Sequence, residues 1–318
     1  MAEGIATRTD ALARRVRAGE PAALARALTR SENGDEPLMQ ALRPAAGSAT
    51  VIGITGPPSA GKSTLVTALI RGWRTSGRRV AVLAVDPVSP FSGGAVLGDR
   101  TRMGEHSLDP GVFIRSVSAR GHLGGLSAVT HDMVDVMDAA GWDLILLETV
   151  GAGQSETEVA EIADVKVVVC APGLGDEVQA IKAGILEIAD ILVVNKADRA
   201  EAERTARELS LMVALRADAR SRHVPVLRTS ATEGDGMSDL RQSIDAAADE
   251  LHADRHARRL ARLRAALADA LARRVRSAVR DEHDLEKALE DLLEGRISMH
   301  DAIGLALQTV ERSLIDRG

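Results

Sequence analysis

Aromatic residues are almost missing from this 318-residue chain, which has two Trp, two Phe and no Tyr. Its core must be built from Val, Leu, Ile and Ala. A stacking platform for single-stranded nucleic acid, which needs aromatic faces, is excluded. Cysteine occurs once, at Cys170, so an intramolecular disulfide and a metal site built on a cysteine cluster are excluded as well. Cys170 ends an apolar run and reads as a buried core thiol. No apolar stretch is long enough to span a bilayer, and the first residues carry no apolar run of the signal-peptide kind. No membrane association and a cytoplasmic location are therefore expected. An excess of positive charge is lacking too. The net charge of −6 gives no general attraction to nucleic acid or to anionic lipid. His106, His122 and His223 lack any ligand-like spacing.

What is present divides into three stretches. Residues 1–48 are rich in Ala, Arg and Leu at helical spacing, broken at Ser31–Pro37, and read as an N-terminal helical extension. Between 49 and 250, short apolar runs alternate with helical stretches. The runs are Val51–Thr55, Val80–Val85, Val112–Val117, Leu144–Leu147, Val165–Cys170, Ile191–Val194 and Val224–Leu227. Such unalternating, β-branched runs suit strands buried on both faces of a parallel sheet. The repeated order of strand, loop and helix predicts an α/β class with a doubly wound, mostly parallel sheet. Ligand-binding loops then belong at the carboxyl ends of the strands. Met133 and Met137, four apart, read as one packed helix face. From 251 to 318 the chain turns helical again, with Leu260, Leu263, Leu267, Leu271, Val275 and Val279 three or four residues apart. Nine arginines between 251 and 280 are followed by an acidic block from Asp281 to Glu294, which opposes a nucleic-acid arm. An amphipathic arm for a partner or for self-association is the better reading.

The strongest motif follows the first run: Gly56-Pro57-Pro58-Ser59-Ala60-Gly61-Lys62-Ser63, leading into a helical stretch from Thr64 to Thr75. Glycines let backbone N–H groups converge on a phosphate, and the helix N-terminus behind them adds partial positive charge. Lys62 is positioned to reach the β/γ-phosphates, and the Ser63 hydroxyl to hold Mg²⁺. A second motif, Asn195-Lys196-Ala197-Asp198, follows Ile191–Val194. A carboxylate only accepts hydrogen bonds. Guanine offers N1–H and the N2 amine together, whereas adenine presents an acceptor at N1, so Asp198 selects guanine. Lys196 is expected along the base, with Asn195 tying the loop together. Thr229-Ser230-Ala231 follows Val224–Leu227, and its backbone N–H groups can contact guanine O6. The second and third motifs are weak alone; their order and their places at strand ends give them weight.

Carboxylates at strand tips opposite such a loop suit Mg²⁺, which takes few direct protein ligands. Asp86, Asp99 and Glu148 qualify by position, against the plainer role of helix caps or surface ion pairs. Glycines at 151 and 153 would let a loop respond to the γ-phosphate. Gln154 can orient an attacking water or be an ordinary loop amide. Lys182, beyond Gly173-Leu174-Gly175-Asp176-Glu177, can pair with Glu148, with phosphate, or with solvent alone.

Taken together these residues resemble the MeaB/ArgK-type P-loop GTPases, which include the methylmalonic aciduria type A protein. The resemblance rests on Val85-Asp86-Pro87 with Ser89-Pro90-Phe91, Gly93-Gly94, Leu97 to Met103, Arg120-Gly121 with Leu123 to Leu126, Glu148 to Gly151 with Gly153 to Glu156, and Gly173 with Gly175-Asp176-Glu177, Gln179, Lys182, Gly184 and Glu187 to Asp190. It spans about 50 to 235. It implies binding of GTP, GDP and Mg²⁺, slow GTP hydrolysis, and protection and cofactor loading of an adenosylcobalamin-dependent acyl-CoA mutase. It further implies switch regions at Asp86–Asp99, Glu148–Glu156 and Gly173–Glu187, and a homodimer held through helical extensions. Ser59 departs from the pattern, standing where the family usually has glycine. A positive φ there would strain it, whereas a relaxed backbone would cost little. Two other classes remain as alternatives: a P-loop kinase linked to amino-acid transport, and a metallochaperone GTPase, which one Cys and scattered His argue against.

Overall fold

The structure, a computed structural model, describes residues 2–86, 104–106, 108–118, 125–149, 159, 162–173, 188–216, 224–252 and 285–315, with scattered positions between 257 and 275. Two compact units result, Met1–Arg262 and Leu263–Gly318.

In the first unit, seven strands form one sheet: β1 (Thr50–Thr55), β2 (Val80–Asp86), β3 (Val112–Ser118), β4 (Leu144–Thr149), β5 (Val165–Cys170), β6 (Ile191–Val194) and β7 (Val226–Arg228). They lie in the order β3-β2-β4-β1-β5-β6-β7, and every pairing is parallel. The doubly wound α/β reading therefore holds. Because neighbours run the same way, the carboxyl ends of all seven strands share one end of the sheet.

Side-chain alternation sorts each strand between two faces. Val51, Leu83, Ile145 and Leu147 pack with the helices α1 (Ala2–Arg17), α2 (Pro21–Glu32), α3 (Glu36–Leu42) and α5 (Gly125–Ala139). The N-terminal helices thus share a core with the sheet, and Met133 and Met137 are fully buried in it. Ile52, Ile54, Val82, Leu146 and Val167 face the other way, onto α4 (Lys62–Thr75) and α7 (Met237–His252). Trp73 of α4 anchors that layer, donating its indole N–H to Asp245 of α7 at 3.3 Å. α6 (Ala202–Arg216) covers the β6–β7 side through Ala202 and Leu209, next to Cys170. Burial pushes the Cys170 thiol up to about 12, as befits a core thiol.

The second unit holds α8 (Glu286–Leu293) and α9 (Met299–Ile315). Ser298 and Asp301 form a reciprocal cap at the start of α9: Ser298 N donates to Asp301 Oδ2 at 3.0 Å and Asp301 N to Ser298 Oγ at 3.2 Å. No described helix is long and apolar enough to cross a membrane.

Candidate functional site

Thr55 ends β1 beside β4 on one side and β5 on the other. The segment 56–61 that follows is shaped by two glycines, each at positive φ and close to a neighbour. Gly56 has φ 142°, and a Cβ there would lie 2.0 Å from the carbonyl oxygen of Val169 in β5. Gly61 has φ 88°, and its Cβ would lie 2.4 Å from Asn195 Nδ2. The loop is therefore pressed against the loop after β6. Ser59, between Pro57-Pro58 and Ala60, takes the left-handed conformation at φ 63°. The strain that the sequence made conditional on a positive φ is thus present.

α4 begins at Lys62, two residues before the expected Thr64, and so runs straight out of the loop. Lys62 is buried, and its ammonium donates to the carbonyls of Gly56 at 2.8 Å and Pro57 at 3.0 Å, folding back over the loop. The Ser63 hydroxyl donates to Glu148 Oε1 at 2.6 Å. Glu148 is only 1% exposed and lies within β4, which runs on to Thr149 and pairs Glu148 with Ile54 on one side and Ala84 on the other. Beside it, Thr149 Oγ1 donates to Thr55 Oγ1 at 3.2 Å, joining the ends of β4 and β1.

The loop after β6 is held as closely. Asn195 is 2% exposed and uses both ends of its amide. Its Nδ2 donates to Ala60 O at 3.0 Å, and its Oδ1 accepts from Thr229 Oγ1 and from Ala231 N, each at 3.2 Å. One side chain therefore joins the loops after β1, β6 and β7. Lys196, at φ 58°, extends to Ser59 O, 2.7 Å away. Asp198 accepts from the Ser230 hydroxyl at 3.1 Å, which fixes one carboxylate oxygen. The backbone N–H groups of Ser230 and Ala231, expected to face guanine O6, already donate within the protein, to Asp235 O at 3.0 Å and to Asn195 Oδ1.

The structure thus brings Gly56 to Ser63, Glu148, Asn195, Lys196, Asp198, Ser230 and Ala231 to one end of the sheet. Asp86 is the last residue of β2, paired with Ser118; only its backbone is described. Asp99, Gln154 and Lys182 lie outside the described residues, as do positions 174–187 of the Gly173–Glu187 segment. The sequence reading missed the pairings between loops: Ser63 with Glu148, Lys196 with Ser59, Thr149 with Thr55. Their partners are separated by 85, 137 and 94 residues, so no local pattern announces them.

The hard oxygen donors of Ser63 and Glu148, together at the foot of a glycine-shaped loop, fit a divalent cation such as Mg²⁺. The loop and the Asp198 carboxylate fit a guanine nucleotide.

Comparison with known proteins supports a guanine nucleotide as ligand. A family model described as "Methylmalonyl Co-A mutase-associated GTPase MeaB" matches residues 24–284. A protein of Pyrococcus abyssi that carries the name of a GTPase is 50% identical over 242 residues, 74% of each chain. The mouse mitochondrial methylmalonic aciduria type A homolog is 42% identical over 193 residues, 59% of this chain and 46% of the mouse protein. A solved structure titled as an LAO/AO transport system kinase superposes with a TM-score of 0.70 at 25% identity, covering 96% of this chain and 98% of that one. This chain belongs to the MeaB family of methylmalonyl-CoA mutase-associated GTPases: it binds guanine nucleotide and hydrolyses GTP.

Proposed function

We propose that this GTPase is a nucleotide-operated chaperone of an adenosylcobalamin-dependent acyl-CoA mutase of the methylmalonyl-CoA mutase type, gating cofactor loading and protecting or reactivating its client. The observation that carries this reading is the cross-linking of the nucleotide loops. Asn195 bonds to the loops after β1 and β7, Lys196 to Ser59, and Ser63 to the tip of β4. A change at the phosphates is therefore felt at the start of segment 150–156, where a partner can read it. The family's printed description supplies the kind of partner.

Within that reading, the segment 56–64 receives the phosphates through backbone N–H groups such as those of Gly61 to Thr64, Pro57 and Pro58 having none, and Lys62 exchanges its loop carbonyls for phosphate oxygens. Asp198, oriented by Ser230, selects guanine, and Lys196 lies along the base. Ser63, Glu148, Asp86 and Asp99 are the residues to hold Mg²⁺, which when bound offsets charge on the phosphate oxygens. Gln154 and Lys182 are assigned to the attacking water and the γ-phosphate. Catalysis is positioning and electrostatics, completed by the partner. The chain is read as a cytoplasmic homodimer joined through 251–318, flanking a 49–250 nucleotide domain.

Two experiments test this. Asp198→Asn should move preference from GTP to xanthosine triphosphate, because an amide can donate to the xanthine 2-oxo group; an unchanged GTP preference would sink the assignment. Pull-down of acyl-CoA mutases should depend on whether a GTP analogue or GDP is bound, and nucleotide-independent or absent capture counts against the chaperone role. The solved transport-system kinase favours one competitor, a kinase linked to amino-acid transport. Following labelled γ-phosphate separates the two, since a chaperone GTPase passes it to water and a kinase to a protein hydroxyl.

A further inference from the structure

We propose that Ser59 sets the nucleotide release rate: its left-handed backbone makes the phosphate loop let go of guanine nucleotide faster than the same loop with glycine. The inference rests on the reading of 56–63 as the nucleotide loop.

Among the described residues, two non-glycine positions have positive φ, Ser59 at 63° and Lys196 at 58°. They are bonded to each other, Lys196 Nζ donating to Ser59 O at 2.7 Å. The next two carbonyls face the same neighbour, with Asn195 Nδ2 3.0 Å from Ala60 O and 3.4 Å from Gly61 O. Three successive carbonyls are thus drawn toward Asn195-Lys196. In a trans peptide the C=O and the following N–H point in opposite directions. Drawing these carbonyls to one side turns the N–H groups of Gly61 and Lys62 to the other, which is how a backbone nest for an anion is made.

The left-handed turn at Ser59 is therefore part of the conformation that receives phosphate. Glycine would adopt it without penalty, whereas a residue with a Cβ is strained there. Serine gains nothing in exchange: Ser59 is exposed, and its hydroxyl makes no hydrogen bond among the described residues. Opening the loop relieves the strain, and bound nucleotide must hold the loop against that relief. The cost falls on the complex and appears as weaker retention.

The test uses the full chain with Mg²⁺ and a fluorescent GDP, comparing wild type, Ser59→Gly, Ser59→Ala and Lys62→Ala. Ser59→Gly should slow GDP release about fivefold and tighten affinity to match, about 1 kcal/mol at 1.4 kcal/mol per tenfold. Ser59→Ala, which keeps the Cβ and loses the hydroxyl, should release like wild type. The proposal is overturned if Ser59→Gly releases at the wild-type rate, for the strain then persists in the free protein. It is also overturned if Ser59→Ala slows as Ser59→Gly does, for the hydroxyl is then responsible. Lys62→Ala should abolish GDP binding. Retained binding there would overturn the loop assignment itself, a failure distinct from that of Ser59.

Discussion

At the amino end of the sheet, Asp143, Asp164 and Asp190 each stand one residue before a strand and accept a backbone N–H at the start of the neighbouring one: Arg79 before β2, Val51 in β1 and Lys166 in β5. At the carboxyl end, Ser63, Lys62, Glu148, Asn195 and Lys196 bond instead to side chains and loop carbonyls, several of them across separate connections. The first set satisfies obligatory backbone donors next to each carboxylate and holds strand register. The second set holds loops in a conformation with two positive-φ serine and lysine residues and backbone approaches only glycine allows. Such bonds can be traded for bonds to a ligand, whereas those at the amino end have no substitute. One end is built for stability and the other for exchange.

Gly56→Ala should break this division most severely. A Cβ 2.0 Å from Val169 O forces β1 and β5 apart at their ends, at a φ of 142° that an alanine resists. A stability loss of about 4 kcal/mol or more is expected together with loss of nucleotide binding, measured by urea denaturation and nucleotide titration. Wild-type affinity in this variant would show that the loop is not held against β5.

Asp138→Ala comes next and should sharpen the comparison. The buried Asp138 carboxylate of α5 accepts from Gly47 N at 2.6 Å and from Ser48 N and Ala49 N at 3.0 Å, fixing the approach to β1 at the amino end. Leaving these donors unmatched should cost about 3 kcal/mol of stability while the folded protein keeps its nucleotide affinity. If affinity falls in step with stability, the two ends are not separable.

Much of the fold was legible because a parallel sheet leaves a strong trace. β5 and β6 coincide with the apolar runs Val165–Cys170 and Ile191–Val194, whose strands are covered on both faces. β7 begins at Val226 rather than Val224, since Pro225 has no N–H to give a ladder. β4 runs two residues past its apolar run because Glu148 and Thr149 stay paired with β1 and β2, their polar side chains meeting Ser63 and Thr55. The segments 56–63 and 195–198 stood out as local motifs. The left-handed turn at Ser59 and the pairings between loops were not, since both follow from β1 lying between β4 and β5. The aspartates preceding β4, β5 and β6 did leave a signal, one carboxylate before each buried run, which carried no meaning until strand order was known.

The smallest effect expected is at Thr149. Thr149 and Thr55 are both buried, and their hydroxyls join β4 to β1 at 3.2 Å where the two strands end. Thr149→Val keeps the shape and removes the donor, leaving the Thr55 oxygen without this bond. About 1 kcal/mol of stability should be lost. Thr55→Val should cost a similar amount. The double variant should lose less than the sum, because each change removes the same bond and the second leaves nothing newly stranded. If the carboxyl end is built for exchange, the coupling measured by this cycle should differ between the GDP and GTP-analogue forms, since the end of β4 leads directly into 150–156. A coupling equal in both forms would assign the pair to the sheet's fixed framework, with the aspartates of the other end.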